Sequence, residues 1–202
     1  MKKRTALLNR NTTETNITGS LNIDGVGKAS ISTGIGLLDH MLELFAFHGL
    51  FDLEIKAKGD LHIDMHHTNE DIGIELGKAF KKALLDMKGI RRFGFASVPM
   101  EKVLANVTVD ISGRGLYERK ENAGAGPCPE DERGYSLKDA DHFFESFAGH
   151  MGVNLIISIE PMARDLHATL EPVFKALGVA LDQATQIDAR KKGIPSTKGI
   201  ID

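Results

Sequence analysis

"DHMLELFAFH" at 39–48 and "DHFFESFAGH" at 141–150 are two stretches of one chain that share six of ten residues at an offset of 102. Both read Asp-His, then Glu, then Phe-Ala, then His, at the same spacing. Chance rarely produces a ten-residue match of this quality. The pair therefore predicts an internal duplication, with one copy of the motif in each half of the chain.

A second pair of matching stretches follows at nearly the same offset. "HHTNE", which begins at His66, corresponds at an offset of 101 to "HATLE", which begins at His167, so Glu70 matches Glu171. On a helix, each of these histidines would share a face with the glutamate four residues later. Imidazole and carboxylate together suit a first-row metal ion. Taken alone, either stretch could equally be a hydrated helix start with its capping acids.

The segments between these motifs predict the same order of elements in both halves. In residues 1–88, two strands joined at the turn signal Asp24-Gly25 precede a helix that begins at Leu37, an alternating strand and a second amphipathic helix. Residues 89–202 repeat this pattern. We therefore predict an α+β fold of two strand-strand-helix-strand-helix units, whose helices pack between two sheets in one compact domain.

Composition limits the functions that the chain can have. Its 202 residues are 42% hydrophobic and 26% charged, which is enough apolar material for a sizeable core. The net charge of -3 argues against a nucleic-acid-binding protein, which would normally carry a basic excess. The single cysteine, Cys128, excludes an internal disulfide, and neither a signal segment nor a stretch of membrane-spanning length is evident. We predict a cytoplasmic protein that acts on a small molecule, with no nucleic-acid or membrane partner. The stretch 121–134 has no apolar period and predicts a projecting, mobile insertion.

Six of the eight histidines obey the duplication, which incidental surface histidines would not be expected to do. Recurrence beside the same acids favours a metal site over helix capping. With imidazole and carboxylate ligands and no thiolate, manganese, iron and zinc are all chemically acceptable. The matched pairs are His40 with His142, His66 with His167, and His48 with His150.

Seven motifs occur in fixed order along the chain: "TGIGLLDHM", "GDLHIDMHHTNEDIGI", "KGIRRFG", "PMEKVL", "DISGRG", "EPVFKALGVALDQAT" and "IPSTKG". Together they resemble the imidazoleglycerol-phosphate dehydratase family, and the match runs from about Arg10 to Gly199. The resemblance implies a hydro-lyase of histidine biosynthesis that converts imidazole glycerol phosphate to imidazole acetol phosphate. It also implies Mn2+ as the cofactor, with two ions per active site, and a homo-oligomer of twenty-four subunits with active sites at the interfaces.

The metal ligands of the family can be carried over onto this chain one by one. The family pattern contains a second His-His pair, but the latter histidine of that pair is Ala168 here, so one of the two ions is expected to bind more weakly. A gapless alignment would place Leu166 on the pair, but Leu170 would then replace the glutamate. The resemblance assigns the ligands to His40, His66, His67 and Glu70 in the first unit and to His142, His167 and Glu171 in the second.

The reaction that the resemblance implies needs an electron sink, because the proton to be removed lies beside a hydroxyl carbon with no carbonyl to acidify it. Metal ions would supply that sink as Lewis acids. The resemblance assigns catalytic roles to Glu14, Glu70 and Glu171, with Glu14 as the candidate acid-base residue. Guanidinium and ammonium groups suit the substrate's phosphate dianion. The implied substrate contacts are Glu14, His48, Arg92, Arg114, Ser196 and Lys198.

Two other function classes stay open from the sequence. A degenerate paralogue would bind metal and assemble with little turnover, because one ligand is replaced. A two-metal phosphate hydrolase would use similar ligands but release phosphate. Turnover of the imidazole substrate, and its dependence on manganese, discriminates among the three.

Overall fold

The structure is a computed structural model that describes residues 3–120 and 128–201. Within these residues, each half of the chain contributes three strands, a helix, a fourth strand and a second helix. The first half forms β1 (Thr5–Asn11), β2 (Thr15–Asn22), β3 (Ala29–Ser32), α1 (Gly36–Gly49), β4 (Asp52–Gly59) and α2 (His66–Ala83). The second half forms β5 (Phe93–Met100), β6 (Val103–Asp110), β7 (Leu116–Lys120), α3 (Leu137–Met151), β8 (Asn154–Glu160) and α4 (Leu166–Thr185).

Both halves build a mixed sheet of four strands with the same topology. The strand order is β1-β2-β4-β3 in one sheet and β5-β6-β8-β7 in the other. Three neighbouring strands of each sheet run antiparallel, and the remaining edge strand, β3 or β7, pairs parallel with its neighbour. The matching topology confirms the predicted α+β class and is consistent with an internal duplication. The unit boundary between residues 88 and 89 stays a prediction.

The helices lie between the two sheets. α2 packs on β1 and β2, α4 packs on β5 and β6, and helix contacts join α1 to α4 and α2 to α3 across the halves. Phe80 of α2 and Phe147 of α3 are both buried, with ring centroids 5.8 Å apart in an edge contact. Such aromatic pairs remove a large apolar area from water. The core therefore brings helices of opposite units into direct contact.

The predicted hairpin at Asp24-Gly25 is wrong. β4 lies between β2 and β3, antiparallel to the first and parallel to the second. The turn is held by Asp52 at the start of β4, whose carboxylate accepts the N–H groups of Val26 and Lys28 at 2.9 and 3.2 Å. The Asp-Gly turn signal cannot reveal this contact, because α1 separates Asp52 from the turn in the sequence.

Three strands, β1, β5 and β7, are not predicted from the sequence, and all three lie at sheet edges. β5 has an inverted pattern, since Phe93 and Phe95 face outward, 60% and 69% exposed, while Gly94 and Ala96 face inward and are buried. A Cβ on Gly94 would lie 1.9 Å from the carbonyl oxygen of Ala180 in α4, so only glycine permits this approach. Because the large apolar residues of β5 face outward and the small residues face inward, its hydrophobicity pattern does not show which side of the strand is buried.

The four predicted helices are present. α2 begins at His66. α4 begins at Leu166, where the Asp165 carboxylate accepts the N–H of His167 at 2.8 Å and caps the helix. These starts place His66 and His167 inside the first helical turns. Among the described helices, none is both long and apolar enough to cross a membrane. The cytoplasmic location stays a prediction.

The predicted insertion at 121–134 is only partly described, because residues 121–127 lie outside the described ranges. The remainder does not project freely. The N–H of Glu130 donates to the carbonyl oxygen of Arg164 at 2.9 Å, and Pro129 is buried. This part of the segment therefore packs beside the loop that leads into α4.

Candidate metal centre and active site

Candidate metal ligands lie in the first two turns of the four described helices. His40 is in α1, His66 in α2, His142 in α3 and His167 in α4. Because α1 packs against α4 and α2 against α3, the ligands meet between helices of opposite units. Each resulting cluster combines the histidine of the Asp-His motif from one unit with the histidine and the glutamate of the His-x-x-x-Glu motif from the other unit.

The α1/α4 cluster consists of His40, His167 and Glu171, whose ligand atoms all lie within 4.8 Å of one another. Glu171 Oε2 is 2.9 Å from His167 Nε2 and 3.7 Å from His40 Nε2, and the two imidazole rings stack with centroids 4.9 Å apart. The other Glu171 oxygen is 2.5 Å from Lys175 Nζ. Partial burial raises the pKa of Glu171, but the hydrogen bonds from Lys175 and His167 outweigh it, so this pKa lies below its usual value.

The α2/α3 cluster consists of His66, Glu70 and His142. His66 Nε2 lies 3.4 Å from Glu70 Oε2, and His66 Nδ1 lies 3.1 Å from His142 Nδ1. The rings of His66 and His142 meet edge to face at a centroid distance of 4.8 Å. His66 therefore bridges the other two side chains, as its repeat mate His167 does in the α1/α4 cluster.

The donor atoms of the α1/α4 cluster fit a divalent first-row cation, because imidazole nitrogens and carboxylates are ligand types that such ions accept. Adjacent ligands of an octahedral ion with bonds of roughly 2.1 Å are about 3 Å apart. His167 Nε2 and Glu171 Oε2 are 2.9 Å apart. The α2/α3 cluster offers the same ligand types but is not gathered in this way, because His66 turns Nε2 to Glu70 and Nδ1 to His142. The His40 and His66 side chains are 41% and 40% exposed, so an ion can reach them without unfolding of the helices.

His67 turns to a different partner. Its Nδ1 is 2.9 Å from Oδ2 of Asp60, which follows β4. This hydrogen bond raises the pKa of His67, with a further contribution from the charge of Glu14, and lowers the pKa of Asp60. Glu14, the predicted acid-base residue, is exposed in the turn between β1 and β2. The charge of Glu14 therefore contributes to the electrostatics of His67.

Ala168 follows His167 in α4 as His67 follows His66 in α2. The Ala168 residue is 9% exposed, whereas the His67 side chain is 33% exposed. A methyl group offers no ligand atom. The two units therefore differ here, since α2 presents a second imidazole and α4 a buried methyl group.

A cleft of about 1020 Å³ opens beside the α2/α3 cluster, with His66 and His142 on one side and the segment that leads into α3 on another. Tyr135 of that segment is 2% exposed, and its hydroxyl donates to Asn69 Oδ1 at 2.9 Å. Asn69 Nδ2 donates to the carbonyl oxygen of Asp139 at 2.7 Å. Burial raises the pKa of Tyr135, which keeps it a neutral donor. These bonds tie the wall of the cleft to α2, next to the candidate ligands.

Three of the predicted substrate contacts come together at the C-terminal segment. Arg92 forms a bidentate ion pair with Asp110 at 2.6 and 3.1 Å, and its remaining nitrogen donates to the carbonyl oxygen of Pro195 at 3.1 Å. Arg92 thereby anchors the turn that contains Ser196 and Lys198. Within that turn, the Lys198 N–H donates to Ser196 Oγ at 3.2 Å, and the Lys198 side chain is exposed.

Besides Glu14, the remaining predicted substrate contacts, Arg114 and His48, lie in different elements. Arg114 is exposed in the loop between β6 and β7, where its carbonyl oxygen accepts from Ser112 Oγ at 3.0 Å. His48 is at the end of α1, and burial together with the nearby charge of Lys175 lowers its pKa. The charges of Lys175 and Glu171 therefore both act on His48.

Comparison with known proteins identifies the family. The family model described as imidazoleglycerol-phosphate dehydratase matches residues 33–181, which include all four described helices up to the last turns of α4. The chain belongs to the imidazoleglycerol-phosphate dehydratase family. Relatives of that name from Pelobacter propionicus and Geobacillus kaustophilus are each 49% identical over 199 residues, covering 98% of this chain and 99% of the relative.

Solved structures of imidazoleglycerol-phosphate dehydratases share the fold. The crystal structure from Pyrococcus furiosus, in complex with (S)-C348, is 34% identical with a TM-score of 0.78, covering 95% of this chain and 98% of that one. The structure from Staphylococcus aureus is 30% identical with a TM-score of 0.76, covering 91% and 100%. Membership makes the chain a hydro-lyase of histidine biosynthesis. The imidazoleglycerol-phosphate dehydratase family is metal-dependent, in agreement with the His-His-Glu group found here.

Sequence reasoning missed two side chains that contact candidate ligands. Lys175 lies four residues after Glu171 on α4, and this helical spacing could have revealed the contact. Asp60 reaches His67 from outside the helix, and no periodic signal in the sequence marks it. Both residues alter the electrostatics of the site without themselves belonging to either cluster.

Proposed function

We propose that the α1/α4 and α2/α3 clusters each hold a Mn2+ ion, and that this protein uses the ions to dehydrate imidazole glycerol phosphate to imidazole acetol phosphate. The observation that carries the proposal is the exchange between units, in which the Asp-His histidine of each unit meets the His-x-x-x-Glu of the other. Incidental histidines would have no reason to meet in this way twice. When bound, Mn2+ supplies Lewis acidity to the substrate's imidazole.

Proton transfer is assigned to Glu14. It is exposed in the turn between β1 and β2, and its charge acts on His67, which supports a position at the edge of the proposed metal site. A carboxylate there can take the proton from the carbon beside the hydroxyl-bearing carbon, while the hydroxyl leaves, so that the elements of water are removed. Glu70 and Glu171 serve as ligand carboxylates, each four residues after the imidazole that it contacts.

The substrate's phosphate is assigned to the turn that contains Ser196 and Lys198, with Arg114 as a further cation. Arg92 holds this turn through the Pro195 carbonyl, and its guanidinium is fixed in turn by Asp110. An ammonium and a hydroxyl on a held turn can donate charge-assisted hydrogen bonds to a dianion. Arg92 thus contributes to phosphate binding by positioning the turn as well as by its charge.

The working form is proposed to be a homo-oligomer of twenty-four subunits with active sites at the interfaces. Large apolar side chains are exposed on the outer faces of both sheets, with Leu7 73% and Phe95 69% exposed. Exposed apolar groups of this size are commonly covered in assemblies. Sedimentation velocity of the metal-loaded protein measures the mass, and a monomeric boundary would contradict the assembly.

One experiment tests the proposed function against its alternatives. The chelated protein is titrated with Mn2+ while turnover of imidazole glycerol phosphate, release of inorganic phosphate and bound manganese are measured in the same samples. We expect dehydration that rises with bound manganese and no phosphate release. Phosphate release would indicate a two-metal hydrolase, and metal binding without dehydration would indicate a degenerate paralogue.

Replacing Lys198 by alanine is expected to raise KM about tenfold or more with bound manganese unchanged. The ammonium is assigned to the phosphate, far from the atoms that react, so its loss should affect binding more than kcat. Steady-state kinetics and a metal count check this. The matched control is Lys192→Ala, which removes an exposed ammonium from the same C-terminal segment. An unchanged KM in the Lys198 variant would reject the assignment.

Ala168 is proposed to make the two ions unequal, because one site lacks an imidazole that the other unit supplies through His67. Replacing Ala168 by histidine should then strengthen the weaker Mn2+ site about tenfold. Manganese calorimetry on the chelated protein measures this. Ala168→Leu is the control, since it adds bulk at this buried position without a ligand atom. Two equally tight sites in the unmodified protein, with no gain from histidine, would show that another group already fills the vacancy.

A further inference from the structure

The pair formed by Asp60 and His67 differs from the two histidine–glutamate pairs that lie within a His-x-x-x-Glu motif. In the two clusters, an imidazole nitrogen faces a carboxylate of the same His-x-x-x-Glu, as in His66–Glu70 and His167–Glu171. His67 instead uses Nδ1 to contact a carboxylate from the loop after β4, with 2.9 Å between Nδ1 and Oδ2. Asp60 is therefore not a further ligand of a cluster but a partner of one ring.

The hydrogen bond fixes which nitrogen of His67 can bind a metal. A neutral imidazole that donates from Nδ1 carries its lone pair on Nε2. With Nδ1 turned to Asp60, Nε2 is on the opposite side of the ring, and the His67 side chain as a whole is 33% exposed. Carboxylates that hold one ring nitrogen in this way orient the other toward an ion and increase its basicity.

The burial of Asp60 argues against a role in folding alone. Its side chain is only 12% exposed. Its second oxygen, Oδ1, is buried and has no hydrogen-bond partner among the described residues. An unpaired buried carboxylate oxygen opposes folding, so a carboxylate chosen only for stability would not be left in this state. The group is better explained by what its paired oxygen does for His67.

The second unit lacks both members of the pair. The mate of His67 is Ala168, and the residues that follow β8 in the place of Asp60 are Pro161 and Met162, neither of which has a carboxylate. If the role of Asp60 were to stabilise the sheet or the start of α2, the equivalent loop of the second unit would need a carboxylate as well. The carboxylate is absent in the unit where the second histidine is absent.

We propose that Asp60 is the positioning residue of His67, setting its tautomer so that Nε2 is presented as a metal ligand. The proposal rests on the proposed function in one respect, which is that His67 binds the metal. Asp60 itself touches neither ion nor substrate. It acts by holding the imidazole, and the unit without a second histidine has no need of it.

Asp60→Ala should weaken the affinity of the full-length, chelated protein for Mn2+ by about 10- to 100-fold at one site, measured by the electron paramagnetic resonance signal of free Mn2+. The visible absorption of the Co2+-loaded protein should change with it, since that spectrum reports the ligand set. Asp60→Asn keeps an oxygen that can accept from Nδ1, and it should restore part of the affinity. A role in folding alone would change the melting temperature without changing the Co2+ spectrum.

The matched control is Asp64→Asn, which removes a carboxylate charge two residues before His66. The amide oxygen keeps an acceptor for the His66 N–H, which donates to Asp64 Oδ1 at 2.8 Å in the unmodified protein. It should change Mn2+ affinity less than threefold. His67→Ala separates the two hypotheses. If His67→Ala weakens binding and Asp60→Ala does not, the positioning role is wrong and the ligand role stands. If His67→Ala has no effect on binding or on the Co2+ spectrum, the ligand role fails and the positioning role with it.

Discussion

Replacing His167 by alanine is expected to lower kcat/KM by about a hundredfold or more and to remove one manganese per chain. His167 stands between the other two members of the α1/α4 cluster, with Nε2 2.9 Å from Glu171 and its ring stacked on His40. Its loss would leave only His40 Nε2 and Glu171 Oε2, 3.7 Å apart, and two donor atoms are too few to hold an ion tightly. Steady-state turnover at saturating Mn2+ and a metal count measure both effects.

His150→Ala is the matched control for this variant. His150 belongs to a duplicated pair, as His167 does, but it is exposed and its Nδ1 contacts the carbonyl oxygen of Ser146 in its own helix at 2.9 Å. Turnover and metal content should stay within about twofold of the unmodified protein, as for other surface changes. Wild-type turnover with two bound ions in the His167 variant would mean that the α1/α4 cluster is not a metal site.

The candidate ligands show what a duplication can predict and what it cannot. Their types, spacing and repeat mates follow from the sequence. Which ligands meet does not, because it depends on helix pairing between units, with α1 on α4 and α2 on α3. The sequence also places His67 beside Glu70, yet His66 and His67 point about 100° apart around a helix. His66 contacts Glu70, and His67 contacts Asp60.

The prediction of strands from the sequence has a similar limit. β1 alternates, with Ala6 and Leu8 buried and Leu7 73% exposed, but polar neighbours make the N-terminal stretch resemble a tail. Its partner β2 supplies the evidence that it is a strand, through a register from Thr5 opposite Asn22 to Asn11 opposite Asn16. Edge strands depend on such pairing more than on their own composition. Local patterns therefore predict the central strands and helices better than the edges.

Asp71 joins α2 to the first two strands, directly beside the proposed metal ligand Glu70. Arg10 Nε in β1 is 2.7 Å from Asp71 Oδ2, and the Thr15 hydroxyl at the start of β2 donates to the same oxygen. The Asp71 side chain is 8% exposed, and Thr15 is 3% exposed. Contact with Asp71 raises the pKa of Arg10, so the guanidinium stays charged. This clamp also fixes the turn that carries Glu14, which is adjacent to Thr15.

Replacing Asp71 by alanine is expected to lower the free energy of unfolding by about 3 kcal/mol. Arg10 would keep its charge with only 27% of its side chain exposed, and the buried Thr15 hydroxyl would lose its acceptor. Asp71→Asn should cost less, because the amide oxygen can still accept from Thr15. Urea denaturation followed by circular dichroism measures the change. Excess chelator is required, since α2 carries proposed ligands and bound metal would add its own stabilisation.

Asp86→Ala is the control for burial, because it removes one partner of an ion pair with Lys88 in which both side chains are 61% exposed. Water solvates both charges there, so the urea midpoint should not change beyond experimental error. An unchanged midpoint in the Asp71 variant as well would contradict the clamp. A stable Asp71→Asn variant with reduced kcat and unchanged Mn2+ affinity would instead show that the clamp acts through Glu14, because only the proton-transfer step would then have lost its geometry.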